Sequence, residues 1–277
     1  MTLVRVQAGR RPWRAAVLVI VAGAVGGAAS LAAALGAFGG GAWGVSPDAV
    51  SAYAEEGRSV QTVASFTLFV LGTCLLTGLW EEAVFRLAVI EAFERLSMLA
   101  RGVRLPWHRL CDGIPAVGAI PVGITLRAAV LSAVLFGIAH TSLGDMLPFR
   151  EWLVGEGGAV GGAPFEGGTA SVLTTAAAWL KFLQAALFGF VMACMYQRTR
   201  SLWKCAGLHA LFDVLYLGPA VVAAGAFPDT YAVGSVPYLV MLVATIALLA
   251  GAVAQAWRLP CEEAVVRGMD GMRREAG

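Results

Sequence analysis

Charge is what this sequence has least of. Asp, Glu, Lys and Arg make up 14% of 277 residues, against a 58% apolar share and a mean hydropathy of +0.75. A soluble domain typically carries about 25% charged and roughly 45–50% apolar residues. The deficit excludes a disordered chain, whose signature is high charge with few apolar residues. It points instead to a membrane protein. Cysteine is sparse too: Cys74, Cys111, Cys194, Cys205 and Cys261 include no CxxC pair, so neither a disulfide framework nor a thiolate metal site is indicated. There is no GxGxxG opening a dinucleotide-binding unit, no GxxxxGK phosphate loop and no HExxH zinc motif. The 34 glycines follow no G-x-y period, which excludes collagen and fits membrane helices, where glycine is commoner. The glycine-rich stretch at 155–168, GEGGAVGGAPFEGG, reads as a non-cytoplasmic connector.

What the chain does have is long apolar runs. Six occur, at about 15–39, 61–93, 114–140, 170–196, 205–227 and 235–257, each near the ~20 residues that a helix needs to cross a bilayer. Helices are expected rather than strands, because backbone polar groups must be satisfied internally and no period-two pattern is present. The basic N-terminus resembles a signal peptide, yet its apolar run is longer than an h-region, so a first span is the better reading. Arg5, Arg10, Arg11 and Arg14 precede the first run, and Arg95, Arg101, Arg104 and Arg109 follow the second. Arg198, Arg200 and Lys204 lie between the fourth and fifth, and Arg258 follows the sixth. The other connectors are acidic or sparse, with Asp48, Glu55, Glu56 and Arg58 in one and Asp145, Arg150, Glu151, Glu156 and Glu166 in the other. Six spans with both termini cytoplasmic put every basic cluster on one side. The expected fold is therefore an all-α polytopic bundle, a single membrane-embedded domain over 1–277. Small residues such as GAVGGAAS in the first span mark close helix packing.

Ionisable residues inside apolar segments are costly and are functional candidates by default. The stretch TGLWEEAVFRL, 77–87, sets Glu81 and Glu82 side by side, with Arg86 one turn later. Glu82 and Arg86 are four apart and can pair on one helix face. Glu81 points about 100° away and is free to face elsewhere. Of three histidines, His108 sits among basic loop residues and reads as interfacial. His140 ends an apolar run and shares a face with Phe136, while His209 lies one turn before Asp213. Glu91 and Glu94 lead into a basic loop, and Arg127 stands in an otherwise apolar segment. Convergence of these groups requires the second helix to run on past the glutamates toward residue 94. Each pair taken alone also fits a purely structural role.

At these residues the chain resembles the CPBP intramembrane proteases, which include the CAAX prenyl-protein endopeptidases related to the Ras-converting enzyme and many bacterial Abi-type proteins. The family pattern of EExxxR, FxxxH and HxxxN reads here as EEAVFR (81–86), FGIAH (136–140) and HALFD (209–213), in order and on separate segments. The resemblance covers about 80–215. It implies that Glu81 with His140 activates a water for attack on a peptide carbonyl. Glu82 would pair with Arg86 and position the helix, with Phe136 supporting the site. His209 and position 213 would polarise the carbonyl or stabilise its oxyanion. Position 213 departs from the common Asn: an ionised Asp repels an oxyanion and instead orients His209 or raises its basicity.

The resemblance implies an endopeptidase of the bacterial inner membrane acting on membrane proteins, or on lipidated or C-terminal sorting-signal substrates as in the myxosortase type. The bilayer is the expected environment, and nucleic acid is not an expected partner. A metal-free, glutamate-type mechanism without cofactor is favoured; zinc on Glu81, His140 and His209 is the alternative. An ion-coupled transporter would also bury such residues, although no internal repeat is present. A scaffold or immunity protein retaining the protease fold is a third class.

Overall fold

A computed structural model of the chain describes residues 13–34, 60–101, 122–141, 169–224 and 235–275, with side chains described over 13–34, 63–101, 124–141, 172–223 and 235–257. His108, Cys111, the glycine-rich stretch at 155–168 and the basic residues before Trp13 lie outside the described residues. The described helices are α1 (Trp13–Ala34), α2 (continuous through Val60–Glu82, Ala83–Ile90 and Glu91–Leu99), α3 (Val122–Ala139), α4 (Thr169–Thr199), α5 (Leu202–Ala224) and α6 (Val236–Glu275). Trp13–Ala34, Val63–Leu99, Val172–Thr199, Leu202–Ala223 and Val236–Trp257 are each long and apolar enough to cross a membrane, and α3 adds a shorter apolar stretch, Ile124–Ala139. Large apolar side chains such as Leu68, Leu76, Trp80, Trp203 and Val240 face outward. That is the reverse of a water-soluble surface and suits a lipid one. The chain is an all-α membrane bundle.

Helix α2 runs well past the glutamates, as their burial demands. Its middle section, Ala83–Ile90, is π-helical, and its last turns, Glu91–Leu99, turn Glu94 and Met98 inward. The principal packing pairs join α1 to α5, α5 to α2, the π-helical section of α2 to α3, α3 to α4, α4 to α6 and α6 back to α1. Helices distant in sequence are thus brought into one closed order. Arg200 and Ser201 alone separate α4 from α5, and Arg200 takes the left-handed conformation (φ 47°), with its N–H returning to Tyr196 O at 2.6 Å. Such a residue commonly closes a helix, though usually as glycine. Arg200 also places two guanidinium donors on Glu94 Oε2, each at 3.0 Å, while Gln197 donates to Thr125 O at 2.7 Å and Tyr196 donates to Glu91. The end of α2, the start of α3 and the α4–α5 turn are tied together there.

The small-residue run of α1 packs against α5. Pro219 lies inside α5 and has no N–H to offer the carbonyl of Leu215. Gly27 closes on that carbonyl: a Cβ built on Gly27 would stand 1.8 Å from Leu215 O, and one on Gly26 would stand 2.2 Å from the Tyr216 ring. Among the described residues Cys74, Cys194 and Cys205 are buried and form no disulfide.

Because the obstacle at Gly27 is backbone, Gly27→Ala should push α1 off α5 and destabilise the chain by about 1–3 kcal/mol. Gly72, which has nothing within 4 Å of an added Cβ, should tolerate alanine or gain up to ~1 kcal/mol of helix propensity. Thermal unfolding in detergent, followed by tryptophan fluorescence, checks both; equal shifts would contradict the packing.

Candidate active site

Three helices meet at a buried ion pair. Arg86 donates from Nε to Glu82 Oε2 at 2.7 Å and from Nη2 to Glu82 Oε1 at 3.2 Å, and neither side chain has exposed surface. An isolated ion in such surroundings costs several kcal/mol, and pairing offsets this only when the remaining donors and acceptors are met. Several of them are met from α3 and α5. Arg86 Nη1 donates to Ser132 Oγ at 2.6 Å, and Ser132 in turn donates to Phe85 O at 3.1 Å within the π-helical section. His209 Nδ1 approaches Glu82 Oε1 at 2.9 Å. The guanidinium also lies 5.7 Å from the centre of the Phe136 ring, in cation–π range.

Glu81 points away from this pair toward a cavity of about 490 Å³ that also receives His140, His209 and Asp213. Its Oε2 atom is 3.2 Å from His140 Nε2 and 3.6 Å from His209 Nε2. Both are ion-pair contacts rather than aligned hydrogen bonds. The other ring nitrogens define the tautomers. His140 Nδ1 lies 2.8 Å from Phe136 O, which only accepts, so Nδ1 carries a proton. The carboxylate of Glu82, bound by Arg86, likewise accepts from His209 Nδ1–H. Both Nε2 atoms therefore face Glu81 Oε2, and Asp213 Oδ2 stands 3.5 Å from His209 Nε2. A bare imidazole lone pair repels a carboxylate, so each of these contacts is attractive only with a proton between its two atoms.

Aromatic rings set the imidazole planes. His140 stacks on Phe136 with ring centres 4.1 Å apart, and Phe188 meets His209 edge-on at 4.9 Å. The structure thus brings together Glu81, Glu82, Arg86, Phe136, His140, His209 and Asp213. Arg127 is exposed and takes no part, and Glu91 and Glu94 belong to the tie at the far end of α2. Motif spacing misses three contributors and one contact. Ser132 bridges the ion pair to α3, Glu82 holds His209 as well as Arg86, and Lys181 and Gln184 line the cavity from α4. The lysine carried a readable signal, a cation within an apolar segment. Hydroxyl and amide partners across helices carry none.

Both imidazole Nε2 atoms are directed at Glu81, and among the described residues no group of three or more His, Cys, Asp or Glu side chains is arranged to hold a metal ion. In comparisons with known proteins, residues 63–215 match a family model described as type II CAAX prenyl endopeptidase Rce1-like. No curated protein and no solved structure gives a significant match.

Removing one member of the buried pair should cost far more than removing both charges. Arg86→Met strands the Glu82 carboxylate and is expected to lose about 3–5 kcal/mol. Adding Glu82→Gln to it should recover part of that loss. The four-member cycle is read from unfolding midpoints in detergent or, where a variant fails to accumulate, from the fraction remaining monodisperse.

Proposed function

The chain belongs to the Rce1-like type II CAAX prenyl endopeptidase family, whose model matches more than half of its length, and from that premise we propose that it hydrolyses peptide bonds by a glutamate-activated water. Membership makes it a membrane endopeptidase of the CAAX type. The observation that carries the finer reading is the buried Glu81 Oε2, flanked at 3.2 and 3.6 Å by two imidazole Nε2 atoms and by no other polar partner among the described residues. A carboxylate placed so is a general base for water, and an imidazole beside it completes the proton relay.

In this reading a water in the cavity, bound beside Glu81 and His140, adds its oxygen to the scissile carbonyl carbon and gives a proton to Glu81. His209, protonated at Nε2, donates to the oxyanion that forms. Such a donor is worth most where water is excluded. Glu82 fixes that imidazole through Nδ1, as a partner carboxylate orients a working histidine. Asp213, beside Nε2, helps orient that donor rather than meeting the oxyanion itself. As the C–N bond breaks, the proton held by Glu81 passes to the departing amine, leaving an acid and an amine from peptide and water. No cofactor takes part. The substrates are membrane proteins or lipidated or sorting-signal tails, reached from a bundle with both termini cytoplasmic.

Glu81→Gln, His140→Ala and His209→Ala should each lower cleavage by about 10²–10⁴-fold. Mass spectrometry of protein termini in native membranes should then show uncleaved substrates accumulating. Unchanged termini in all three variants, with the protein expressed, would sink the proposal. Activity of the purified enzyme should also survive chelation; loss on chelation with recovery on stoichiometric zinc would replace the metal-free reading with a zinc one on Glu81, His140 and His209.

A further inference from the structure

Lysine occurs only at positions 181 and 204 in this chain, whose other basic residues are arginine. Lys204 is exposed near the start of α5, whereas Lys181 lies well inside the apolar span Val172–Thr199 and lines the cavity that receives Glu81. A lysine near the centre of a membrane helix is costly to insert and is rarely retained without a role.

Its surroundings hold the ammonium ready without neutralising it. Nζ donates to Gln184 Oε1 at 3.1 Å and sits 5.2 Å from the centre of the Tyr216 ring. The Gln184 amide is itself fixed, donating from Nε2 to Thr245 Oγ1 at 2.6 Å, and Thr245 donates onward to a backbone carbonyl of α6. Gln184 thus turns its carbonyl oxygen toward the lysine and an N–H toward Thr245. An ammonium has three N–H donors; one is used by Gln184. Among the described residues no carboxylate comes within 4.0 Å of Nζ. Asp213, which also lines the cavity, is instead 3.5 Å from His209 Nε2. The cavity thus offers an unpaired cation on α4 and a hydrolytic carboxylate on α2.

We propose that Lys181 is a specificity residue that binds a carboxylate of the peptide substrate, either the chain terminus or an acidic side chain, in the cavity where Glu81 acts. This rests on the peptidase reading for its meaning in catalysis but not for its test. A carboxylate entering the cavity replaces water on the remaining N–H groups and completes a charge-assisted pair in a low-dielectric site. The Gln184–Thr245 chain keeps the ammonium oriented before substrate arrives.

The test is equilibrium binding, by calorimetry in nanodiscs, to the full chain carrying Glu81→Gln so that the probes stay intact. Three probes are compared: dodecanoyl-Ala-Leu-Leu as free acid, the same peptide as C-terminal amide, and dodecanoyl-Glu-Leu-Leu as C-terminal amide. At least one acid-bearing probe should bind about tenfold or more tighter than the uncharged amide, and the winning probe assigns the carboxylate to terminus or side chain. Lys181→Met should erase the preference and Lys181→Arg should keep most of it, with monodispersity and unfolding midpoint showing that both fold. Equal binding of all three probes, no binding of any, or a preference that survives Lys181→Met would overturn the proposal. Because hydrolysis is not needed, an acid preference without any cleavage in the Glu81-containing chain would count against the peptidase reading alone.

Discussion

A guanidinium and a carboxylate with no exposed surface are tolerable in an apolar bundle only if every hydrogen-bonding position around them is answered. Arg86 and Glu82 go much of the way to that condition by recruiting α3 through Ser132 and α5 through His209. The requirement to satisfy one buried pair therefore places three helices. It also separates the adjacent glutamates: Glu82 is committed to the scaffold, which leaves Glu81 facing the cavity. The cation above Phe136 adds a fourth constraint, because the same ring stacks on His140.

The two histidines are held alike and differ in what they face. Each is fixed through Nδ1, one by a backbone carbonyl of its own helix and the other by the Glu82 carboxylate on α2. His140 is partly open and has Glu81 alone at its Nε2, whereas His209 is buried and has Glu81 and Asp213 there. Two acids beside His209 Nε2 hold an N–H there, while His140 Nε2 meets Glu81 from the more open side of the cavity. That asymmetry is why the oxyanion donor is assigned to His209 and the water to the Glu81–His140 side. Asp213 fits this division better than it would fit direct contact with developing negative charge.

Local spacing was readable because it is a property of a single helix. Glu82 with Arg86, Phe136 with His140 and His209 with Asp213 are all four apart and all contact one another. The apolar runs likewise located the helices, and the small residues of α1 marked a close contact whose partner, α5, they could not name. The π-helical section was not legible, since AVFRLAVI has the composition of an ordinary apolar helix. Ser132, Gln184 and Thr245 were silent because a hydroxyl or amide inside a membrane segment acquires meaning only from the residue opposite. Glu91 and Glu94 looked like the edge of a solvated loop; their partners, Tyr196 and Arg200, lie about a hundred positions further along.

The contact of Gly27 with Leu215 has a mechanical consequence. Side-chain interfaces can yield by changing rotamer, but a backbone laid against a backbone has no such freedom. On its α1 side, α5 is therefore backed by a stiff wall, reached through a carbonyl that Pro219 leaves without its usual helical donor. Facing the cavity, the bundle presents longer and softer groups, with Lys181 the longest of the charged ones. Compliance is thus unevenly distributed. The wall that carries His209 resists displacement, and adjustment to a guest falls to the opposite side, so shape is accommodated on α4 while the geometry of the reacting groups is kept.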